Sequence, residues 1–322
     1  MYPIQVNLDA GEQASIRVAF GEAMVELGRE NPNVVALTAD LCAAVQLGPF
    51  KKEFPERYYN FGCAEQTMYG CAAGMATCGM VPFATTFACF ASMRACEQVR
   101  TDIAYPRLGV KVVGTHGGVT QGVAGTTHHA TEDIAIMRSM ANMAILVPAD
   151  AVEVRHAVYA AAAFEGPLYL RIGRADEPVV YRQEDYGFEL GKGVLLRNGG
   201  DVAVIATGQM VHAALVAADQ LARDSIGVRV INIHTIKPLD TEIVKKAAFE
   251  TGLIVTIEDH NIIGGLGSAV AETIAGAGVG VKVLPLGLPD IYAAIGDPED
   301  LFRKYGMTVD GITKTIRQAL PA

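Results

Sequence analysis

FGCAEQTMYGCAAGMATCGMVPFATTFACF, running from Phe61 to Phe90, is the stretch on which the fold turns. Residues 66–93 carry no charge at all, and Glu65 is the single charged side chain between Arg57 and Arg94. A charge-free run of this length raises the question of a membrane span. Gly70, Gly74, Gly79 and Pro82 answer it, because they punctuate the run into a helix from about Ala64, a turn, and a strand from Val81 to Thr86. The run therefore reads as buried core of a globular α/β protein.

The same alternation extends outward in both directions. Upstream, Ile16, Ala19, Phe20, Ala23, Met24 and Leu27 recur at helical spacing until Asn31-Pro32 stops them, and an apolar strand, Val34 to Leu37, follows. Downstream come a helix from Ala91, a strand Lys111 to Gly114, a helix from Glu132, a strand Ala144 to Val147, a helix from Asp150 and a strand Leu168 to Ile172. Strands that alternate with helices pair in parallel through crossovers. The periodicity lapses between Gly173 and Gly200, then restarts. Val202 to Ala206, Val228 to Ile233, Leu253 to Ile257 and Val281 to Leu284 read as strands, with helices from near Gln209, Asp240, Gly267 and Pro298. Asp240 suits an N-cap. The expectation is an α/β chain of two open, mainly parallel-sheet domains, residues 1–175 and 191–322, joined by a linker at 176–190.

Composition bounds the function. The chain has 322 residues, 51% of them hydrophobic and 19% charged, a ratio that suits a large buried interface as well as a core. A net charge of -9 and a pI near 5.3 leave no basic stripe for nucleic acid. All six cysteines fall between Cys42 and Cys96, without zinc-finger spacing, and read as small apolar residues in a reducing, cytoplasmic compartment. The first residues, Met-Tyr-Pro-Ile-Gln, lack the basic and apolar segments of a signal peptide.

Three places could carry chemistry. An arbitrary glutamate caps a helix and faces solvent, but Glu65 sits in Gly-Ala-Cys sequence, where a carboxyl is buried and shares its proton with a partner. The loop from Thr115 to Thr131 gathers His116, His128 and His129. Only Glu132 and Asp133 could join them as metal ligands, so hydrogen bonds to substrate oxygens or proton shuttling suit these imidazoles better than a metal, with plain polar loop residues as the bland alternative. Gly264-Gly265-Leu266-Gly267-Ser268 opens a helix after a strand, where a phosphate cradle would lie. Its spacing is not that of a dinucleotide loop, and close helix packing is the commoner reason for such glycines. Phe83, Phe87 and Phe90, taken alone, read as core.

Taken in order, Phe-Gly-Cys-Ala-Glu65-Gln-Thr-Met, then Pro82-Phe-Ala-Thr-Thr-Phe87-Ala-Cys-Phe90, then Thr115-His116 and Thr127-His128, resemble the pyrimidine-binding domain of transketolases. The resemblance continues through a transketolase C-terminal domain, over essentially the whole chain. It implies that Glu65 hydrogen-bonds the aminopyrimidine ring nitrogen of thiamine diphosphate, so that the exocyclic nitrogen can take the proton from the thiazolium carbon. It also implies that Phe87 and Phe90 flank that ring, that Asp40 lies near the cofactor, that His116 and His128 face the reacting oxygens, and that Arg17 and Arg174 hold the anionic end of a sugar phosphate. The Gly-Asp-Gly motif that binds the diphosphate through a metal is absent from the sequence. The resemblance therefore implies that a separate N-terminal transketolase subunit carries that motif and the ligands of a Mg or Ca ion, in a heterotetramer of two chains of each kind, with no metal site on this chain.

Departures from the family pattern touch the substrate side. Ala44 stands where serine is usual, Ala124 where an aspartate recognises a hydroxyl beside the reacting carbonyl, and Met93 where a third aromatic is common. His129 could stand in for the lost aspartate. Two other readings share the fold: the beta chain of the first component of a 2-oxo-acid dehydrogenase, and a non-catalytic assembly subunit. Thr127-His128-His129-Ala-Thr-Glu-Asp-Ile-Ala-Ile-Met-Arg138 fits transketolase better than the dehydrogenase, and the joint retention of Glu65, Phe87, Phe90, His116 and His128 speaks against loss of catalysis.

Overall fold

A computed structural model describes residues 3–183 and 185–320. The outer ends of both expected domains, 1–2 and 321–322, and Glu184 in the expected linker lie outside the described residues. The first half runs β1 (Gln13–Ser15), α1 (Ile16–Glu30), β2 (Val34–Thr38), α2 (Gly48–Glu53), β3 (Tyr58–Asn60), α3 (Glu65–Thr77) and β4 (Val81–Phe87). It continues through α4 (Cys96–Gln98), β5 (Lys111–Thr115), α5 (Asp133–Ser139), β6 (Ala144–Leu146), α6 (Ala151–Ala163), β7 (Leu168–Arg171) and β8 (Asp176–Pro178). The second half contains β9 (Val194–Arg197), β10 (Val202–Ala206), α7 (Met210–Ala222), β11 (Val228–Asn232), β12 (Thr235–Lys237) and α8 (Thr241–Glu250). It ends with β13 (Leu253–Asn261), α9 (Leu266–Gly276), β14 (Lys282–Leu288), α10 (Pro298–Lys304) and α11 (Val309–Ala319).

Apolar strands such as β2 and β10 are buried along their whole length, as parallel strands covered on both faces must be. They build a seven-stranded sheet in the order β12-β6-β7-β5-β4-β2-β3 and a five-stranded sheet in the order β14-β13-β10-β11-β9. Pairing is parallel except at one edge of each sheet, where β12 and β9 run antiparallel to their neighbours. Asp240 caps α8 by accepting from the Ile243 amide, and Asp150 caps α6 by accepting from the Glu153 amide.

Two features differ from the sequence reading. The helix expected from Ala91 is a composite, with the three-residue α4 set between π-helical turns at Phe90–Arg94 and Val99–Ala104. Wide turns of this kind recur at functional sites. The described residues of the expected linker also pack on the first half and on one another: β8 pairs with β1, Tyr181 is buried, and Tyr181 stacks on Tyr186 at 3.9 Å. The second half also reaches into the first, because β12 pairs with β6 and completes its sheet.

Candidate active site

In parallel sheets ligands gather beyond the carboxyl ends of the strands. Strands β7, β5, β4, β2 and β3 lie side by side, and the candidate residues sit at or just beyond their carboxyl ends in the same order. Arg174 follows β7, His116 follows β5, Phe87 closes β4 with Phe90 just beyond, Asp40 follows β2, and Glu65 opens the helix after β3.

Glu65 is only 2% exposed and begins α3, where the helix dipole favours an anion. Its carboxylate is not alone. Arg94 Nη1 donates to both oxygens, at 2.9 and 3.0 Å, while its guanidinium carbon lies 4.3 Å from the centre of the Phe90 ring. Phe90 stacks in turn on Phe87 at 5.8 Å. Leu41 and Ala44, from the loop after β2, pack, like Phe90, against the small cluster of Phe87, Ala88, Cys89 and Ala130. Asp40 holds a left-handed backbone and exchanges hydrogen bonds with Asn60, so its described bonds turn toward β3 and not toward the rings.

The histidines meet the aromatic pair from the other side. His116 lies 4.1 Å from the Phe87 ring and His128 5.4 Å from Phe90. Burial, with the charges of Arg17, Arg174 and His128 adding to it, pushes the His116 pKa down to about 3, so its ring is neutral. Its Nδ1 is 2.9 Å from the Thr115 hydroxyl, and its backbone φ of +60° marks a strained position. Arg17 is fixed by two carbonyls, donating to Arg174 O at 2.6 Å and Ala44 O at 2.7 Å. Burial and then the neighbouring Arg174 charge pull the Arg17 guanidinium below its ordinary value. The two like charges repel one another, and an anion near both would relieve that repulsion.

The loop that holds the histidines is clamped between the two halves of the chain. Arg171 donates to Asp133 at 2.7 Å and to the Asp259 carbonyl at 2.7 Å, and Tyr169 also donates to Asp133 at 2.7 Å. The Asp259 carboxylate accepts from the Val119 amide and from Gln209. Gly118, at φ +62°, allows that approach, since a Cβ there would fall 1.8 Å from an Asp259 oxygen. One oxygen of Asp133 accepts from both Arg171 and Tyr169, and Glu132 accepts from Thr131. Among the described residues no cluster of His, Cys, Asp or Glu has a metal-binding arrangement. His129 is buried and its Nε2 donates to Gly122 O, while its Nδ1 has no partner among the described groups.

The glycine loop before α9 is likewise filled from within. The amides of Leu266 and Gly267 donate to the Glu258 carboxylate at 2.7 and 2.8 Å, so this chain's own side chain occupies the place of a phosphate. A Cβ on Gly265 would lie 2.0 Å from Glu258 Oε2, which explains that glycine by close packing. Arg94, Arg171 and Asp259 were invisible to sequence reasoning. For Arg94 one signal was available: it ends the same charge-free run whose other end is Glu65, and two opposite charges isolated in apolar sequence commonly pair.

The family model "Transketolase, pyrimidine binding domain" matches residues 12–178, and "Transketolase, C-terminal domain" matches 191–312. The chain is 43% identical to a putative transketolase C-terminal section of Methanocaldococcus jannaschii, over 97% of this chain and 98% of that protein. It is 40% identical to one of the subunits of an apulose-4-phosphate transketolase of Phocaeicola vulgatus, over 95% of this chain and 97% of that protein. A solved structure described as a split gene transketolase, inactive beta4 tetramer, superposes with a TM-score of 0.87 at 43% identity, covering 95% of this chain and 98% of that one.

Proposed function

Because the chain belongs to the transketolase family, we propose that it is the cofactor-activating half of a two-chain enzyme that moves a two-carbon ketol unit from an anionic ketose to an aldehyde. The observation that carries this reading is Glu65, a buried carboxylate with an aromatic face beside it and a flat N–H donor already seated between the two. The room that guanidinium takes suits a planar aminopyrimidine, so these residues fit thiamine diphosphate. When bound, that cofactor supplies the carbon nucleophile that breaks and remakes the bond beside the sugar carbonyl.

Glu65 would hold a proton at the ring nitrogen, and Phe87 and Phe90 would fix the ring plane. His116, neutral at physiological pH, can accept or donate at a substrate oxygen without adding charge to a site that already holds Arg17 and Arg174. Those two guanidinium groups would take the phosphate or similar terminus of the ketose, a reading that the phosphorylated sugar in the name of the Phocaeicola vulgatus protein supports. Ala124 offers a methyl group where the family pattern has a carboxylate, which favours acceptors without a hydroxyl at that place.

A partner chain with the Gly-Asp-Gly motif would bind the diphosphate and its Mg or Ca ion, with two chains of each kind in the assembly. Among the described residues no helix is long and apolar enough to cross a membrane, and the exposed thiols of Cys63, Cys71 and Cys78 suit a reducing cytoplasm. Mixing the purified chain with a Gly-Asp-Gly chain should create ketol transfer that neither has alone. Turnover by this chain with no second polypeptide would sink the reading.

A further inference from the structure

The contact between Arg94 and Glu65 has the form of a ligand contact. Arg94 presents a flat, delocalised, N–H-bearing cation to both carboxylate oxygens and lays it 4.3 Å over the Phe90 ring. An aminopyrimidine that hydrogen-bonds a carboxylate and lies beside an aromatic ring needs the same two surfaces. We propose that Arg94 is an internal stand-in for the cofactor's pyrimidine: its guanidinium closes the pocket over Glu65 in the cofactor-free chain, and the cofactor enters only as Arg94 leaves. This rests on the functional reading above.

Three observations separate a stand-in from a structural ion pair. The partners are unequal, since Glu65 is 2% exposed and the Arg94 side chain 49%, so one is fixed and the other can swing into water. A pair built for the core buries both ends, as Arg171 and Asp133 do at 6% and 0%. Arg94 also closes the π-turn Phe90–Arg94, where the Ala95 amide is divided between the Phe90 and Met93 carbonyls, so the backbone that aims it is not a regular helix. Finally, no hydrogen bond from Arg94 to any group but Glu65 is found among the described residues, and the guanidinium leaves behind only the carboxylate that the pyrimidine would meet.

An occupied pocket weakens apparent affinity by the fraction of time it is open, so a pocket closed about 90% of the time costs about tenfold in Kd. In the complex with the diphosphate-binding chain, Arg94→Gln should bind thiamine diphosphate about tenfold more tightly than wild type by calorimetric titration. In a Glu65→Gln background the same change should leave Kd unmoved, because the latch has lost its catch. Arg94→Lys retains the charge that Glu65 faces but not the planar fork, and should also bind more tightly than wild type. In Arg94→Ala, millimolar methylguanidinium should compete with the cofactor. Melting of the isolated chain gives a readout that needs no partner: the two Gln substitutions should be strongly non-additive in Tm. Normal wild-type affinity with Arg94→Gln and Arg94→Lys no tighter, or additive Tm shifts, would overturn the inference alone. A wild-type complex that binds no cofactor would overturn the functional reading and this inference with it.

Discussion

Glu65 and Glu258 are two buried glutamates whose carboxylates lie at the amino end of a helix, Glu65 as the first residue of α3 and Glu258 reaching α9 from β13, and they have opposite chemical fates. Glu258 meets the backbone amides of Leu266 and Gly267, which cannot leave, and it is shut in by the close approach of Gly265. Glu65 meets one side chain, half in water, that can leave. Burial of a carboxylate does not by itself make a reactive site; what separates the two is whether the group that satisfies it can be exchanged. The fixed carboxylate ties a loop to a strand. The exchangeable one is available for a ligand.

The largest effect that could break this contrast is on turnover. Glu65→Gln in the two-chain complex should lower kcat by about a thousandfold or more, roughly 4 kcal/mol of barrier, while assembly of the two chains is kept. A loss below tenfold would mean that the carboxyl does not activate the cofactor. Glu258→Gln should do the reverse. A glutamine amide turns N–H toward one of the two loop amides, so stability should fall by about 2–3 kcal/mol while the kcat of the folded complex is retained. Equal effects of both substitutions on kcat would erase the distinction.

The third prediction sharpens the comparison with a buried carboxyl that has neither kind of partner. Burial, with the charges of Asp259 and Asp150 adding to it, pushes the Glu177 pKa up to about 8, and neither of its oxygens has a hydrogen-bond partner among the described groups. Unfolded, a glutamate ionises near 4.5. A pKa raised on folding gives stability that is full below the unfolded value and is lost as pH rises from there through about 8. Glu177→Gln should therefore flatten the fall in urea stability between pH 5 and pH 8, with a gain of order 1–2 kcal/mol at the upper end. Asp259 and Asp150, both pushed up to about 6 by burial, titrate in the same window, and because their charges act on Glu177 they cancel only in part between wild type and variant. Parallel stability curves for the two proteins would show that Glu177 is ionised in the fold.

The sequence discloses what is periodic or chemically isolated. Strand and helix alternation, the capping aspartate at 240, and a carboxyl alone in apolar sequence are all local signals, and the ordered motif set adds the aromatic pair and the histidines. What it hides are pairings across distance. Arg94 is 29 residues from Glu65, and Arg171 reaches the Asp259 carbonyl 88 residues away. The Gly264 loop shows why local pattern misleads: its shape is that of an anion cradle, and only the bend between β13 and α9 reveals that Glu258, eight residues before Leu266, already fills it. The π-turns escape as well, because their wide spacing breaks the helical period that would announce them.

Strand β12 gives the chain a timetable. The first sheet is not complete at β7: its outer strand, beside β6, is Thr235–Lys237, made after the second half has begun. On a ribosome working at roughly 5–20 residues per second, the nascent first half therefore waits several seconds with an open sheet edge. Cutting the gene between the halves would leave that edge open until a separately made second half delivered β12 to it.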